Sequence, residues 1–451
     1  MSDAVVLDLS LPELTLNADG GTLVRRTVHP SGLRILSEHV PGAQSVSVGF
    51  WVPVGSRDET DADGARPSTF GSTHFLEHLL FKGTPSRSAL DIAVAFDEVG
   101  GEHNALTAKE HTCYYAKVQA ADLAMAVDVL SDMVAASVID ADEFETERNV
   151  ILEELAMADD DPGDVANERF YQAVLGGHPL GRPIGGTPAT IQAVTRDAVW
   201  EHYQHWYGPS SLVITVAGAV DHDELVQLAG DALTRAGWNL DAAGSPLARR
   251  PVQPGLADLL TPSVMTRPLE QVNLFLGTHA LVASDPRRFV TSVLNAVLGT
   301  GMSSRLFQEI REKRGLAYSV HSFAGGYSDT GVFGMYTGCS PDAAPTVVGL
   351  MFDELHKLAD HGITEDEHRR ALGQLRGASA LALEDSDTRM SRLGRSEIGN
   401  GEFLDFSAAL ERLQRVTRDD VQQLAGELSG KTFTASAVGP IDEVSHAKFG
   451  G

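Results

Sequence analysis

Ser72-Thr73-His74-Phe75-Leu76-Glu77-His78-Leu79-Leu80-Phe81 is the stretch around which the rest of the chain is organised. His74 and His78 are four residues apart, so on a helix both imidazoles leave the same face, one turn above the other. Two imidazoles so placed form a clamp for a metal ion. Glu77 follows His74 by three positions and adjoins His78, which holds a carboxylate beside the same ion without making it a ligand. A residue in that place can serve as a general base. Phe75, Leu76, Leu79 and Leu80 fill the other positions, so the helix is expected to be buried on its remaining sides and to hold both rings rigidly. The competing reading is a core helix whose two histidines are merely hydrogen-bonded, because a five-residue pattern is short.

Composition narrows the choice. A chain of 451 residues exceeds one ordinary core and fits two to three domains. Its formal net charge is −27, from 35 basic and 62 acidic side chains, which argues against nucleic acid or an anionic membrane surface as a partner. Basic or neutral peptides fit better, although such acidity also serves plain solubility. Cys113 and Cys339 make neither a disulfide framework nor a cysteine metal site, so any metal ligands must be His and carboxylate. The first 20 residues carry Asp3, Asp8, Glu13 and Asp19 and no basic side chain, unlike a signal peptide or a mitochondrial presequence. No stretch reaches the length of an uncharged membrane span. A cytoplasmic location is expected.

Val46, Val48, Phe50, Val52 and Val54 alternate with other residues, the pattern of a strand with one apolar face. After an acidic loop and the histidine stretch, residues 89–99 read as a helix stopped by Gly100-Gly101. Asn104-Ala105-Leu106-Thr107 and residues 112–116 read as a ribbon, and residues 124–135 and 142–157 as helices. Residues 212–218 form a buried-type strand and 223–236 a helix. From 237 to 268 periodicity fades and five prolines appear, the mark of a linker. The expected organisation is an N-terminal metal-binding half at 1–236, a linker at 237–268 and a C-terminal half at 269–451. These halves read as a diverged repeat: Val46 and Val272, Ile139 and Ile363, and Gly218 and Gly439 recur in the same order at offsets of 226, 224 and 221. At the middle offset Glu147 and Glu154 fall on Ala371 and Ala378, so only the first half carries the chemistry.

Two histidines leave a zinc ion needing at least one more protein ligand and an open position for water. His-x-x-Glu-His is the inverzincin signature, the inverse of His-Glu-x-x-His. The helix at 142–157 offers Glu143, Glu145, Glu147, Glu153 and Glu154, and spacing alone does not choose among them.

Four blocks carry a resemblance: residues 74–84, Asn104 to Thr107, Glu147-Arg148-Asn149-Val150-Ile151-Leu152-Glu153-Glu154, and Arg311-Glu312-Lys313-Arg314-Gly315-Leu316-Ala317-Tyr318. Over nearly its whole length the chain resembles the pitrilysin (M16) family of zinc metallopeptidases, closest to the branch of the mitochondrial processing peptidase and its bacterial relatives. The resemblance implies an α+β fold of two similar halves, each a mostly antiparallel sheet covered by helices, forming a clam shell. It implies a zinc metalloendopeptidase with one Zn2+ per chain, held by His74, His78 and Glu154. Glu77 is then the general base on metal-activated water, and Glu147 orients a histidine ligand. Asn104, Ala105 and Thr107 match the edge strand to which a peptide substrate adds as an extra strand. Arg311 and Tyr318 match substrate-contacting residues of the second half. Four halves close a chamber in this family, so two per chain imply a dimer, of like chains or with a related subunit. The alternatives are a non-catalytic subunit, of core type or holding substrate for a partner, and a zinc hydrolase of another substrate class. Non-catalytic relatives usually lose part of the zinc motif, which is intact here.

Overall fold

The alternation from Val46 to Val52 forms the strand Ser45–Val52, buried on both faces because helices cover its sheet on each side. This computed structural model describes residues 4–63, 67–252 and 260–441. The first sheet has seven strands in the spatial order Glu13–Asn17, Leu23–Val28, Arg34–His39, Val213–Gly218, Ser45–Val52, Thr112–Gln119 and Glu102–Thr107. The second has five, in the order Ala317–Gly326, Gly331–Cys339, Val272–His279, Thr434–Gly439 and Ser263–Thr266. Read from the hairpin edge inward, the two sheets have the same five-strand topology. One pair in each is parallel, Arg34–His39 with Val213–Gly218 and Ser263–Thr266 with Thr434–Gly439, and the others are antiparallel. The helices Ala141–Asp160 and Glu365–Ala382 correspond as well, so all three offsets fall on equivalent elements.

The compact units are not the contiguous halves 1–236 and 269–451. Unit 1 comprises Met1–Leu155, Pro183–Arg249 and Leu381–Ser407, and unit 2 comprises Ala156–Arg182, Arg250–Ala380 and Ala408–Gly451. The physical reason is that each sheet has two faces to bury, and helices adjacent in sequence cover only one. The second face of unit 1's sheet receives the helix Ser386–Ile398, and that of unit 2's sheet receives Pro162–Leu175. The chain passes from unit 1 to unit 2 inside the expected linker at 237–268, between Arg249 and Arg250, and the stretch on either side of that point is part of the unit it adjoins. Gly244 donates to Pro30 O at 2.9 Å within unit 1, and Ser263–Thr266 is a sheet strand of unit 2, too short to show a period. Residues 253–259, with Pro254, lie outside the described residues.

Both covering helices pack apolar side chains on their sheets, and they differ in what accompanies that packing. In unit 2, Phe170 packs against Phe275 and Phe323, with ring centroids 5.3 and 5.5 Å apart, over Gly277 and Gly334. A Cβ on Gly277 would come within 2.4 Å of that ring. In unit 1 Met390 and Leu393 of the helix join a buried apolar cluster with Leu36, Trp51 and Val213 of the sheet, and an ionic contact is added to it. Glu38 of the sheet, fully buried, accepts from Arg389 and Arg392 of the helix at 2.5 and 2.9 Å. In return Glu397 of the helix, also fully buried, faces Arg26, Arg34 and Arg249 at 3.6, 3.5 and 3.3 Å. Burial lowers the Arg34 pKa to about 10, with Glu397 opposing, which leaves the guanidinium charged at neutral pH.

Removing one partner of a buried ionic group strands the others without water. Glu397→Ala is therefore expected to destabilise unit 1 by about 3–5 kcal/mol. All four tryptophans, Trp51, Trp200, Trp206 and Trp238, lie in unit 1, so denaturant titration followed by tryptophan fluorescence reads that unit alone. An unshifted transition would mean that the cluster does not hold the helix.

Candidate metal centre

The histidine helix, Ser72–Leu79, starts at Gly71, whose φ of +91° suits glycine. Glu59, buried, accepts from Gly71 N and Thr73 N, both at 2.9 Å, and sets a negative group at the positive end of the helix. Phe75, Leu76 and Leu79 are buried, as the pattern predicts. Phe75 stacks on Phe144 of the helix Ala141–Asp160, with centroids 4.7 Å apart and planes 20° from parallel. The Arg148 guanidinium lies 4.8 Å from the Phe144 centroid and 5.7 Å from that of Phe75, and donates to Ile191 O and, at 3.0 Å, to Val194 O. These contacts fix the register of one helix against the other. Phe144, Glu147, Ile151 and Glu154, at alternating steps of three and four, then share the face turned to the histidines.

That register brings three donors together. His74 Nε2 lies 3.3 Å from His78 Nε2, and Glu154 Oε2 lies 3.6 Å from the first and 3.4 Å from the second. Ligands at the usual zinc bond lengths of about 2.0–2.1 Å on a tetrahedron stand about 3.3–3.4 Å apart. The donors fit a zinc ion in type and in spacing. Among the described residues, no other three His, Cys, Asp or Glu side chains are grouped this way. The Glu154 side chain is 55% exposed and that of His74 only 9%, so the group is rigid on one side and open to solvent on the other.

The outer partners prepare the rings. Glu147, 2% exposed, lies 2.9 Å from His78 Nδ1, which assigns the proton to that nitrogen and leaves the Nε2 lone pair for an ion. Lys82 Nζ sits 2.6 Å from the other Glu147 oxygen. Burial, and then the neighbouring His78, push the His74 pKa below the ordinary range, so this ring is neutral at neutral pH. Gly185 walls the ring: a Cβ there would lie 3.6 Å from His74 Nδ1. Sequence reading assigned no role to Lys82 or Gly185. The signal for Lys82 is its place four residues after His78, one turn on. Glu77 is half-buried and forms no hydrogen bond or ion pair among the described residues. Its charge opposes, without overcoming, the lowering of the His74 pKa by burial, and contributes, after burial and Tyr207, to raising that of Tyr114.

Glu102–Thr107 is the edge strand of the seven-stranded sheet. It lies beside the histidine helix, with the His103 ring 5.8 Å from that of Phe81. Ala105 N donates to Asn104 Oδ1 at 2.8 Å, and Thr107 is buried. Arg311 and Tyr318 belong to unit 2, where the guanidinium lies 4.3 Å from the Tyr318 ring centroid and donates to Tyr318 O at 3.0 Å. Tyr318 is 76% exposed.

Comparison with known proteins gives a consistent set of relatives. Residues 34–188 match the family model described as insulinase (peptidase family M16), and residues 193–375 the model of the peptidase M16 inactive domain. An uncharacterized zinc protease of Streptomyces coelicolor is 46% identical over 93% of this chain and 90% of its own length. Another, from Bacillus subtilis, is 35% identical over 93% of this chain and 98% of its own length. Among solved structures, a peptidase M16 inactive domain from Pseudomonas fluorescens superposes with a TM-score of 0.80 at 20% identity, covering 93% of this chain and 98% of that one. A protease from Helicobacter pylori gives 0.79 at 22% identity, covering 92% and 99%.

If Glu147 orients His78, Glu147→Gln is expected to weaken zinc affinity about 10- to 100-fold, read by competition with a chromophoric chelator. Affinity should fall on acidification, since both rings must be neutral to ligate. Unchanged affinity in the variant would mean that His78 needs no such support.

Proposed function

This chain belongs to the M16 peptidase family, and on that premise we propose that it is a zinc-dependent endopeptidase that cuts unfolded peptides or processing segments. The observation that carries the reading is the triangle of His74, His78 and Glu154 donors, 3.3 to 3.6 Å on a side, with the unengaged Glu77 on the same helix. The zinc those residues would hold supplies a Lewis acid and brings the pKa of water toward neutrality. Glu77 takes the proton of the attacking water and returns it to the leaving amine, a role that requires a carboxylate free of other partners. Glu147 and Lys82 keep the His78 ring in one tautomer and one orientation. The substrate backbone pairs with the open edge of Glu102–Thr107, through Asn104, Ala105 and Thr107, so binding is tolerant of sequence. Arg311 and Tyr318 donate hydrogen bonds to substrate carbonyls or to the developing oxyanion. A dimer, of like chains or with a related subunit, completes the chamber.

The inactive-domain match over residues 193–375 favours a second, non-catalytic reading for that part of the chain. It agrees with Ala371 and Ala378 on the helix equivalent to the glutamate helix, and with the absence of His, Asp and Glu from Pro286 to Arg305. It leaves the donor set of unit 1 intact. No helix among the described residues is long and apolar enough to cross a membrane.

Glu77→Gln keeps side-chain size and all three donors. Zinc content is expected to stay at one per chain while peptide turnover falls about 10²–10⁴-fold. Loss of zinc from this variant would make Glu77 a ligand and overturn the assignment. Tyr318→Phe should lower turnover with zinc retained. Co-expressed with His74→Ala chains, it should regain activity in mixed dimers if the tyrosine serves the partner's zinc. No rescue in verified mixed dimers would remove the action in trans.

A further inference from the structure

Unit 2 holds a pocket that the peptidase reading does not use. Phe275, Tyr336 and His321 stand directly opposite one another on three neighbouring strands. Their rings form a row of adjoining faces tilted by 46° and 40°, with centroids 4.7 Å apart for the first pair and 5.0 Å for the second. The first two turns of the helix Pro162–Leu175 rise beside it and bring Asp164 and Asn167 to a cavity of about 320 Å³.

The chemistry of the lining selects one kind of guest. No lysine or arginine lines the cavity. The helix N-terminus offers nothing to an anion, because the Asp161 carboxylate already accepts from Gly163 N at 2.7 Å and Asp164 N at 3.2 Å. The Tyr336 hydroxyl is engaged, donating to Asn273 Oδ1 at 2.7 Å, so this residue presents its ring and not a free donor. Burial holds the His321 pKa below the ordinary range, which leaves that ring uncharged. What remains is a set of aromatic side chains, Tyr171 and Phe323 among them, one exposed carboxylate on Asp164 and one amide on Asn167. Aromatic faces carry negative potential and attract cations, guanidinium above all because it also stacks.

We propose that this cavity binds a guanidinium or alkylammonium group, which lies against the Phe275, Tyr336 and His321 rings while Asp164 balances its charge. The proposal is independent of the zinc site.

The test is calorimetric titration of the full chain with acetyl-Gly-Arg-Gly-amide, with the same peptide carrying uncharged citrulline, and with propylguanidinium. The arginine peptide is expected to bind on the order of tenfold more tightly than the citrulline peptide. Asp164→Asn, at an exposed position that threatens no core, and Tyr336→Leu should each weaken arginine binding severalfold. Binding should persist in His74→Ala, which separates this pocket from the histidines. Propylguanidinium binding as tightly as the peptide identifies a free cation as guest, and tighter peptide binding identifies a basic side chain. Equal affinity for arginine and citrulline, indifference to Asp164→Asn, loss of binding in His74→Ala, or no binding up to millimolar concentration would each overturn the proposal.

Discussion

Two imidazole nitrogens and a carboxylate oxygen held within 3.6 Å of one another form an arrangement that no chain adopts for its own stability. The donors compete for the same protons, and His74 is deprived of water as well. The surrounding structure must therefore impose the geometry, and it does so from both ends of the histidine helix. Glu59 holds the first turn through two backbone amides, and Glu147, itself engaged by Lys82, holds the last histidine. Between these points the Phe75 and Phe144 rings, with Arg148 over them, lock the helix to its neighbour. Rigidity of this kind matters because a metal site that is loose by an ångström loses both affinity and reactivity.

Behind the site lies a sheet that must be buried on two faces, and the manner of that burial separates the two copies of the repeat. Unit 2 covers its second face with aromatic rings over glycines. Unit 1 adds reciprocal charges to its apolar cluster, a glutamate on the sheet with arginines on the helix and a glutamate on the helix with arginines on the sheet. Buried charge is a poor source of stability compared with apolar packing of equal volume. Its advantage is discrimination. The helices 162–175 and 386–398 occupy equivalent places in the repeat, so a chain with two apolar covers could place either on either sheet. A cover that carries Arg389, Arg392 and Glu397 has its partners on one sheet only.

These features were unequally legible in the sequence. The histidine pair, the strand from Val46 and the repeat announce themselves by period and offset, and the structure places each where those patterns require. The third donor does not: five glutamates on one helix look alike, and the resemblance selected Glu154. The residues did contain part of the signal, because Phe144 and Ile151 mark the buried face and, of the five glutamates, only Glu147 and Glu154 continue their stripe. The exchange of covering helices was not legible. No element was read from the sequence at Ser386–Ile398, and the glutamate that its Arg389 and Arg392 meet lies more than 300 positions away in the chain. Lys82 was hidden for the opposite reason, since a lysine after an apolar turn looks like an ordinary surface residue until the glutamate it meets is known.

The edge strand poses a last problem of the same kind. An open sheet edge invites pairing with any extended chain, and proteins commonly blunt such edges. Glu102–Thr107 is short, starts with a charge, and spends one backbone donor on its own side chain, Ala105 N to Asn104 Oδ1. A peptide added here would displace that contact and replace one hydrogen bond by another, a nearly neutral exchange in water. Backbone pairing at this position then contributes little net affinity by itself. A segment would stay only if its side chains or its scissile carbonyl gained something further, so selection among segments falls to contacts other than the backbone pairing.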